Sequence, residues 1–275
     1  MKKMIMALDG EHFPHGAFEF VKYINLNTKV LLAGVFLSPV DYGKILAYSG
    51  IDGIPMYPEW LFQNEEENLV TKNIISFKEA CQKEGIQYRI HKDNNMMALV
   101  SLVEETRFAD ILLVSSELFY KNVSERQPNF YLEEVLKKAE CPVLLVPEIF
   151  TVPEQIILAY DGSESCLFAI KQFAYLFPEL ASLETVLLSI SSATEDEISD
   201  YSLATELITR HFPKLKVQHI ILANKADFAN WLNGQPESYI VMGSFSRSLI
   251  SELFKKSFAA KVIQQSKMPV FISHK

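Results

Sequence analysis

Short, continuously apolar runs alternate with longer amphipathic stretches along the whole chain. In the second half, Gln155–Tyr160, Thr185–Ile190, Val217–Leu222, Tyr239–Met242 and Val270–Ser273 predict strands. Between them, Glu164–Phe177, Ile198–His211, Ala226–Leu232 and Leu249–Gln265 predict helices. Runs such as Val186-Leu187-Leu188 are apolar at every position, not at every second one. Strands of that kind are covered on both faces, which calls for parallel strands joined by crossover helices. Five strands alternating with four helices therefore predict a doubly wound α/β unit. The first half follows the same plan. Its longer excursion, from Ser38 to Gln63, is rich in Gly, Pro and Tyr and predicts a loop.

The two halves also match in sequence. Ile5-Met6-Ala7-Leu8-Asp9-Gly10 returns as Ile157-Leu158-Ala159-Tyr160-Asp161-Gly162, and Val30-Leu31-Leu32 resembles Val186-Leu187-Leu188. Further on, Ile111-Leu112-Leu113-Val114-Ser115-Ser116 matches Tyr239-Ile240-Val241-Met242-Gly243-Ser244, and Cys141-Pro142-Val143-Leu144-Leu145 matches Met268-Pro269-Val270-Phe271-Ile272. All four matches keep their order, which marks a tandem duplication. Its period is domain-sized, far longer than a solenoid repeat. Pro147 and Pro153 bracket the connector, so the expected units are residues 1–147 and 153–275.

Composition narrows the class. With 275 residues, 49% hydrophobic and 12% aromatic, the chain has ample material for packed cores and is not disordered overall. Its 26 Lys and Arg against 34 Asp and Glu leave a net charge of −8, the wrong sign for a protein that captures nucleic acid by neutralising phosphates. The three cysteines, Cys81, Cys141 and Cys166, form no C-x-x-C pair, so a disulfide framework is not expected and a reducing compartment is. The apolar run at the start stops at Asp9, too short for a signal core, and no stretch approaches a membrane span. A cytoplasmic protein with no membrane partner is expected.

In an open parallel sheet, ligands bind outside the carboxyl ends of the strands, where the strand order reverses. The turn after the first strand carries Asp9-Gly10 in one half and Asp161-Gly162-Ser163 in the other. A turn ending in a Ser helix cap explains the latter in plain terms. An acidic strand end can also accept hydrogen bonds from a ribose. The turn after the fourth strand carries Ser115-Ser116 and Gly243-Ser244-Phe245-Ser246-Arg247-Ser248. Elsewhere the chemistry is thin. His12 and His15 are separated by Pro14, which spoils a helical metal face, and no metal site is expected. No G-x-S-x-G elbow is present, and no catalytic residue is assigned. Cys166 falls in a first helical turn, which can lower a thiol pKa, although burial as an inert thiol is the plainer expectation. Glu65-Glu66-Glu67 is expected to be a solvated helix start.

Over nearly its whole length the chain resembles the universal stress proteins in their tandem, bacterial-type form. The resemblance rests on the strand-end Asp9 and Asp161, on Met242-Gly243-Ser244, and on the segment Ser266-Lys267-Met268-Pro269-Val270-Phe271-Ile272. It implies two flavodoxin-like doubly wound domains, each a five-stranded parallel sheet in the order 3-2-1-4-5. It also implies an internal pseudo-dimer through the final strands, Val143–Val146 and Val270–Ser273, which would otherwise be open apolar edges. A further homodimer is compatible with it.

Nucleotide-binding members carry Gly, two residues, Gly, nine residues, then Gly and Ser or Thr after the fourth strand. The resemblance implies that this loop holds ATP phosphates while the strand-one Asp and an apolar wall hold ribose and adenine. Here the first glycine is kept as Gly243, but Ser246 and Lys256 stand at the second and third, followed by the hydroxyl of Ser257. Asp161 is the implied ribose contact and Ile190 the adenine wall. In the first half Ser115 replaces the first glycine beside Asp9, and the rest of the pattern is lost. Glycines let backbone N–H groups approach phosphate without a Cβ in the way. A long side chain at Lys256 sits where a phosphate would lie, unless it turns inward as a ligand. The expected function is therefore a stress-related regulatory or ligand-sensing role, with ATP or another adenine nucleotide bound weakly or not at all. A slowly ATP-hydrolysing protein using the second site, and a nucleotide-free scaffold for another protein, are the rivals.

Overall fold

The computed structural model describes residues 1–9, 12–37, 63–93, 98–115, 135–191, 201–221, 231–232, 234–243 and 268–273. The first half contributes β1 (Lys2–Asp9), α1 (His15–Asn27), β2 (Val30–Leu37), α2 (Gln63–Lys83), β3 (Gln87–Asp93), α3 (Ala98–Thr106), β4 (Ile111–Ser115) and β5 (Val143–Val146). The second contributes β6 (Gln155–Tyr160), α4 (Glu164–Leu176), β7 (Glu184–Ser191), α5 (Tyr201–His211), β8 (Leu215–Ile221), β9 (Ser238–Gly243) and β10 (Val270–Ser273). The expected loop at Ser38–Gln63 lies outside the described residues except for Gln63, which opens α2. The helix expected at Leu249–Gln265 and most of the one at Ala226–Leu232 also lie outside them. Among the described residues no helix is long and apolar enough to cross a membrane.

All ten strands form one sheet in the order β3-β2-β1-β4-β5-β10-β9-β6-β7-β8. Each half is thus a parallel five-stranded unit in the order 3-2-1-4-5, and the two meet edge to edge. Only the meeting is antiparallel: Val270, Phe271 and Ile272 face Leu145, Leu144 and Val143. The expected pseudo-dimer is this junction.

The register repeats with the sequence. Ile5 pairs with Leu112, and its counterpart Ile157 pairs with Ile240. Leu112 in turn pairs with Val143, and Ile240 with Val270. One sequence match needs correction. Ile5 faces Ala33 while Ile157 faces Val186, so Val186 is equivalent to Ala33 and not to Val30. Both runs do lie in second strands, but continuously apolar strands carry no alternation to fix their register. The edge strand β8 also begins at Leu215, before the expected Val217.

Alternation within each strand sends neighbouring side chains to opposite faces, giving two cores. Met4, Met6 and Leu8 point with Phe20 of α1, Phe77 of α2, Phe173 of α4 and Ile208 of α5 into one. Ile5, Ala7, Val35 and Leu112 join Leu102 of α3 and, from the second half, Ile240 and Ile272 in the other. Each core runs unbroken across the junction. On the first face the halves lock through aromatic rings: Phe20 of the first lies 5.6 Å from Phe177 and 6.3 Å from Tyr239 of the second, where Phe271 in turn lies 5.2 Å from Phe173. Lys2 reaches across at the rim, its Nζ 2.8 Å from Glu179 Oε1 and 5.2 Å from the centre of the Phe177 ring.

Phe271 is fully buried where the junction strand meets this aromatic cluster. Truncating it removes packing from Phe173 and Phe177, and Phe177 is a ring that Phe20 of the first half packs against. Phe271→Ala is expected to cost about 3–5 kcal/mol. Urea denaturation followed by far-UV circular dichroism measures the loss; a shift worth less than about 1 kcal/mol contradicts the close packing of this cluster.

Candidate functional site

The strand order reverses twice, between β1 and β4 and between β6 and β9. Each reversal opens a crevice at the carboxyl ends of two neighbouring strands, with a helix N-terminus beside it.

In the second half, β6 ends at Tyr160 and Asp161 follows directly. The Asp161 carboxylate turns back and accepts the backbone N–H of Ser163 at 2.9 Å. Ser163 is the N-cap of α4, its hydroxyl accepting the N–H of Cys166 at 3.2 Å. These two residues satisfy donors that the first turn of a helix leaves without partners. The expected turn with a Ser cap is present, and it employs the same Asp161 singled out as a ribose contact.

Gly243 ends β9 on the other lip. A Cβ there would fall 2.6 Å from the backbone N of Cys166 and 2.6 Å from the carbonyl carbon of Ser165. Backbone cannot move aside as a flexible side chain can, so glycine is needed for β9 to pass against α4. The sequence pattern had pointed only to phosphate approach. Ile190 lies in β7 with its backbone opposite Ile220, one position beyond the pairing of Ser189 with Tyr160, which brings it level with the crevice. Ser246, Lys256 and Ser257 lie outside the described residues. The structure therefore brings Asp161, Gly243 and the Ile190 backbone to one crevice.

Cys166 is buried, and its thiol is pushed from 9.0 up to about 12, by burial first and by the neighbouring Asp161 carboxylate second. Position near a helix N-terminus does not rescue it. Cys81 and Cys141 are likewise buried and raised to about 12, chiefly by burial. Among the described residues no group of three or more His, Cys, Asp or Glu could hold a metal ion.

The first-half crevice is built differently. Asp9 ends β1 and Ser115 ends β4. The N-cap of α1 is Pro14, which offers no side-chain hydrogen bond, and the first turn has no acidic residue. The carboxylate comes instead from the connector: Glu148 Oε1 accepts the backbone N–H of His15 at 3.2 Å, and Oε2 accepts the Ser115 hydroxyl at 3.4 Å. Sequence reasoning missed Glu148 because its partner His15 lies 133 residues away. The uncapped Pro14 was the only local sign that an acceptor had to come from elsewhere.

No protein-family model matches the chain. A curated universal stress protein of Synechocystis is 24% identical over 290 residues, spanning 98% of this chain and 99% of its own. A solved universal stress protein from Archaeoglobus fulgidus has the same fold, with a TM-score of 0.66 over 100% of this chain and 96% of its own at 12% identity. Over its whole length the chain is thus similar to universal stress proteins, in sequence to the one and in fold to the other. A family member from Arabidopsis thaliana, solved with AMP bound, is 16% identical and matches 54% of this chain and 92% of its own with a TM-score of 0.35.

Two measurements test the second crevice. Gly243→Ala forces Cβ into the α4 backbone and is expected to cost about 1–3 kcal/mol, read from the urea midpoint whether or not any ligand is present. The thiols give a pH signature. Their folded pKa values lie above their unfolded ones, so the stability they contribute is present below pH 9.0 and is lost as pH rises from there towards about 12. Native protein at pH 8 is therefore expected to leave all three thiols unreacted with a disulfide-exchange reagent, and denatured protein to react fully. Rapid labelling of Cys166 in the folded state contradicts the burial assignment.

Proposed function

We propose that this protein is a stress-responsive regulatory or ligand-sensing protein whose second unit, residues 153–275, binds an adenine nucleotide weakly. The first unit, residues 1–147, is the degenerate partner. The observation that carries this is the placement of Asp161 and Gly243 on the two lips of the β6/β9 crevice, the place where a doubly wound sheet takes its ligand.

Weak affinity follows from what those residues already do. A ribose hydroxyl has to share the Asp161 carboxylate with the Ser163 N–H. Gly243 is required for packing, so its presence does not by itself mark a phosphate site. Ser246 and Lys256 replace the two further glycines of the family pattern. A backbone amide held off a phosphate forfeits a charge-assisted bond worth about 1.5–3 kcal/mol, roughly ten- to a hundredfold in affinity. Ser257 remains to offer a hydroxyl. Regulation suits such a site better than turnover, since a loosely held nucleotide reports its own concentration. Three unpaired thiols suit a reducing, cytoplasmic setting.

Calorimetric titration of ATP and AMP into the wild type and into the double variant Ser246→Gly, Lys256→Gly tests this. Binding weaker than about millimolar in the wild type, tightening at least tenfold in the variant, is expected. Micromolar binding by the wild type that Lys256→Gly weakens would instead make Lys256 a phosphate ligand and overturn the proposal.

A further inference from the structure

The first-half crevice holds an anion supplied by the chain itself. Its two lips are the α1 N-terminus and the end of β4, and the Glu148 carboxylate bridges them through the His15 N–H and the buried Ser115 hydroxyl. Helix N-termini favour negative charge because their orphan N–H groups and the macrodipole point the same way. A second contact, independent of charge, holds the strap down. A Cβ on Gly16 would fall 1.8 Å from the Pro147 carbonyl oxygen and 2.9 Å from that of Glu148, so the connector backbone lies directly on the first turn of α1. Phe150 continues the contact along the helix, with its ring centre 5.8 Å from Phe20 and 6.4 Å from Tyr23.

We propose that the connector is an autoinhibitory strap: Glu148 occupies the first crevice as a tethered anion and keeps phosphate-bearing ligands out of it. The first half is thus closed by occupancy as well as by its altered sequence. Aligning Cys141-Pro142-Val143 with Met268-Pro269-Val270 puts Lys275, of opposite charge, at the position of Glu148. The strap concerns the first half alone and stands whether or not the second binds nucleotide.

The test uses the full chain, inorganic phosphate as probe, and three proteins: wild type, Glu148→Gln, and Glu154→Gln. Glu154 is exposed just past the connector, before β6, and supplies the same change of charge away from the crevice. Without phosphate, Glu148→Gln is expected to lower Tm by about 2–3 °C, as loss of a helix cap does, and Glu154→Gln to leave it unchanged. Against sodium chloride at matched ionic strength, phosphate stabilises all three slightly by exclusion from the surface. Only Glu148→Gln is expected to show an added, saturable rise in Tm, together with a phosphate-dependent shift of the His15 amide resonance. An unchanged Tm in Glu148→Gln means the bridge is not formed and overturns the proposal. A lowered Tm with no saturable phosphate response makes Glu148 a structural cap only and also overturns it. A phosphate shift at His15 in the wild type overturns it as well, since the crevice would then be open with Glu148 in place.

Discussion

The fold depends on one short antiparallel contact, the pairing of β5 with β10. Every other strand pair is parallel, so this is the sole point at which the direction of the sheet reverses. Both strands are fully buried, and apolar at every position but Ser273. Left unpaired, either would expose a row of backbone donors and acceptors beneath an apolar surface, the condition that drives aggregation at sheet edges. The reversal also relates the halves by a pseudo-twofold, which puts their first helices, α1 and α4, on the same face. Phe20, Phe173, Phe177, Tyr239 and Phe271 meet there because of it. A parallel junction would have placed unlike faces side by side and split that cluster.

Much of this was legible in the sequence, for a definite reason. Continuous apolar runs separated by amphipathic ones admit few arrangements other than a parallel sheet with helices on both faces, and Ile5 through Asp9 against Ile157 through Asp161 showed that the arrangement occurs twice. Register was less legible. Val30-Leu31-Leu32 and Val186-Leu187-Leu188 look alike because both are buried on two faces, and such strands can be slid along one another without violating any local pattern. Only cross-strand pairing, which the sequence does not display, sets them three residues apart.

The candidate site was legible in position but not in cause. Asp161 and Gly243 stand out because strand ends at a reversal are few and because turn chemistry gathers there. A glycine that admits a helix backbone looks the same in sequence as one that admits a phosphate. The contact of Gly243 with Ser165 and Cys166 separates the two, and it shows that a family-like residue can be held by packing alone. Glu148 shows the opposite failure. Nothing around it resembles a site, yet it joins two lips of a crevice that the sequence had marked as worn out.

Both halves therefore solve the same electrostatic problem, an exposed helix N-terminus at a strand reversal, and they solve it over different distances. In the second half the acceptors are two and three residues from their donors, so the cap forms with the turn itself. In the first half the acceptor is 133 residues from its donor. Closing so long a loop has an entropic cost that must be met before the contact forms, so it can form only after β5 has been laid against β4 and the connector led out over α1. Local capping leaves the second crevice intact whatever the connector does. Remote capping makes the first crevice a dependent of the junction, because the strand that feeds the connector is the one that pairs the two halves.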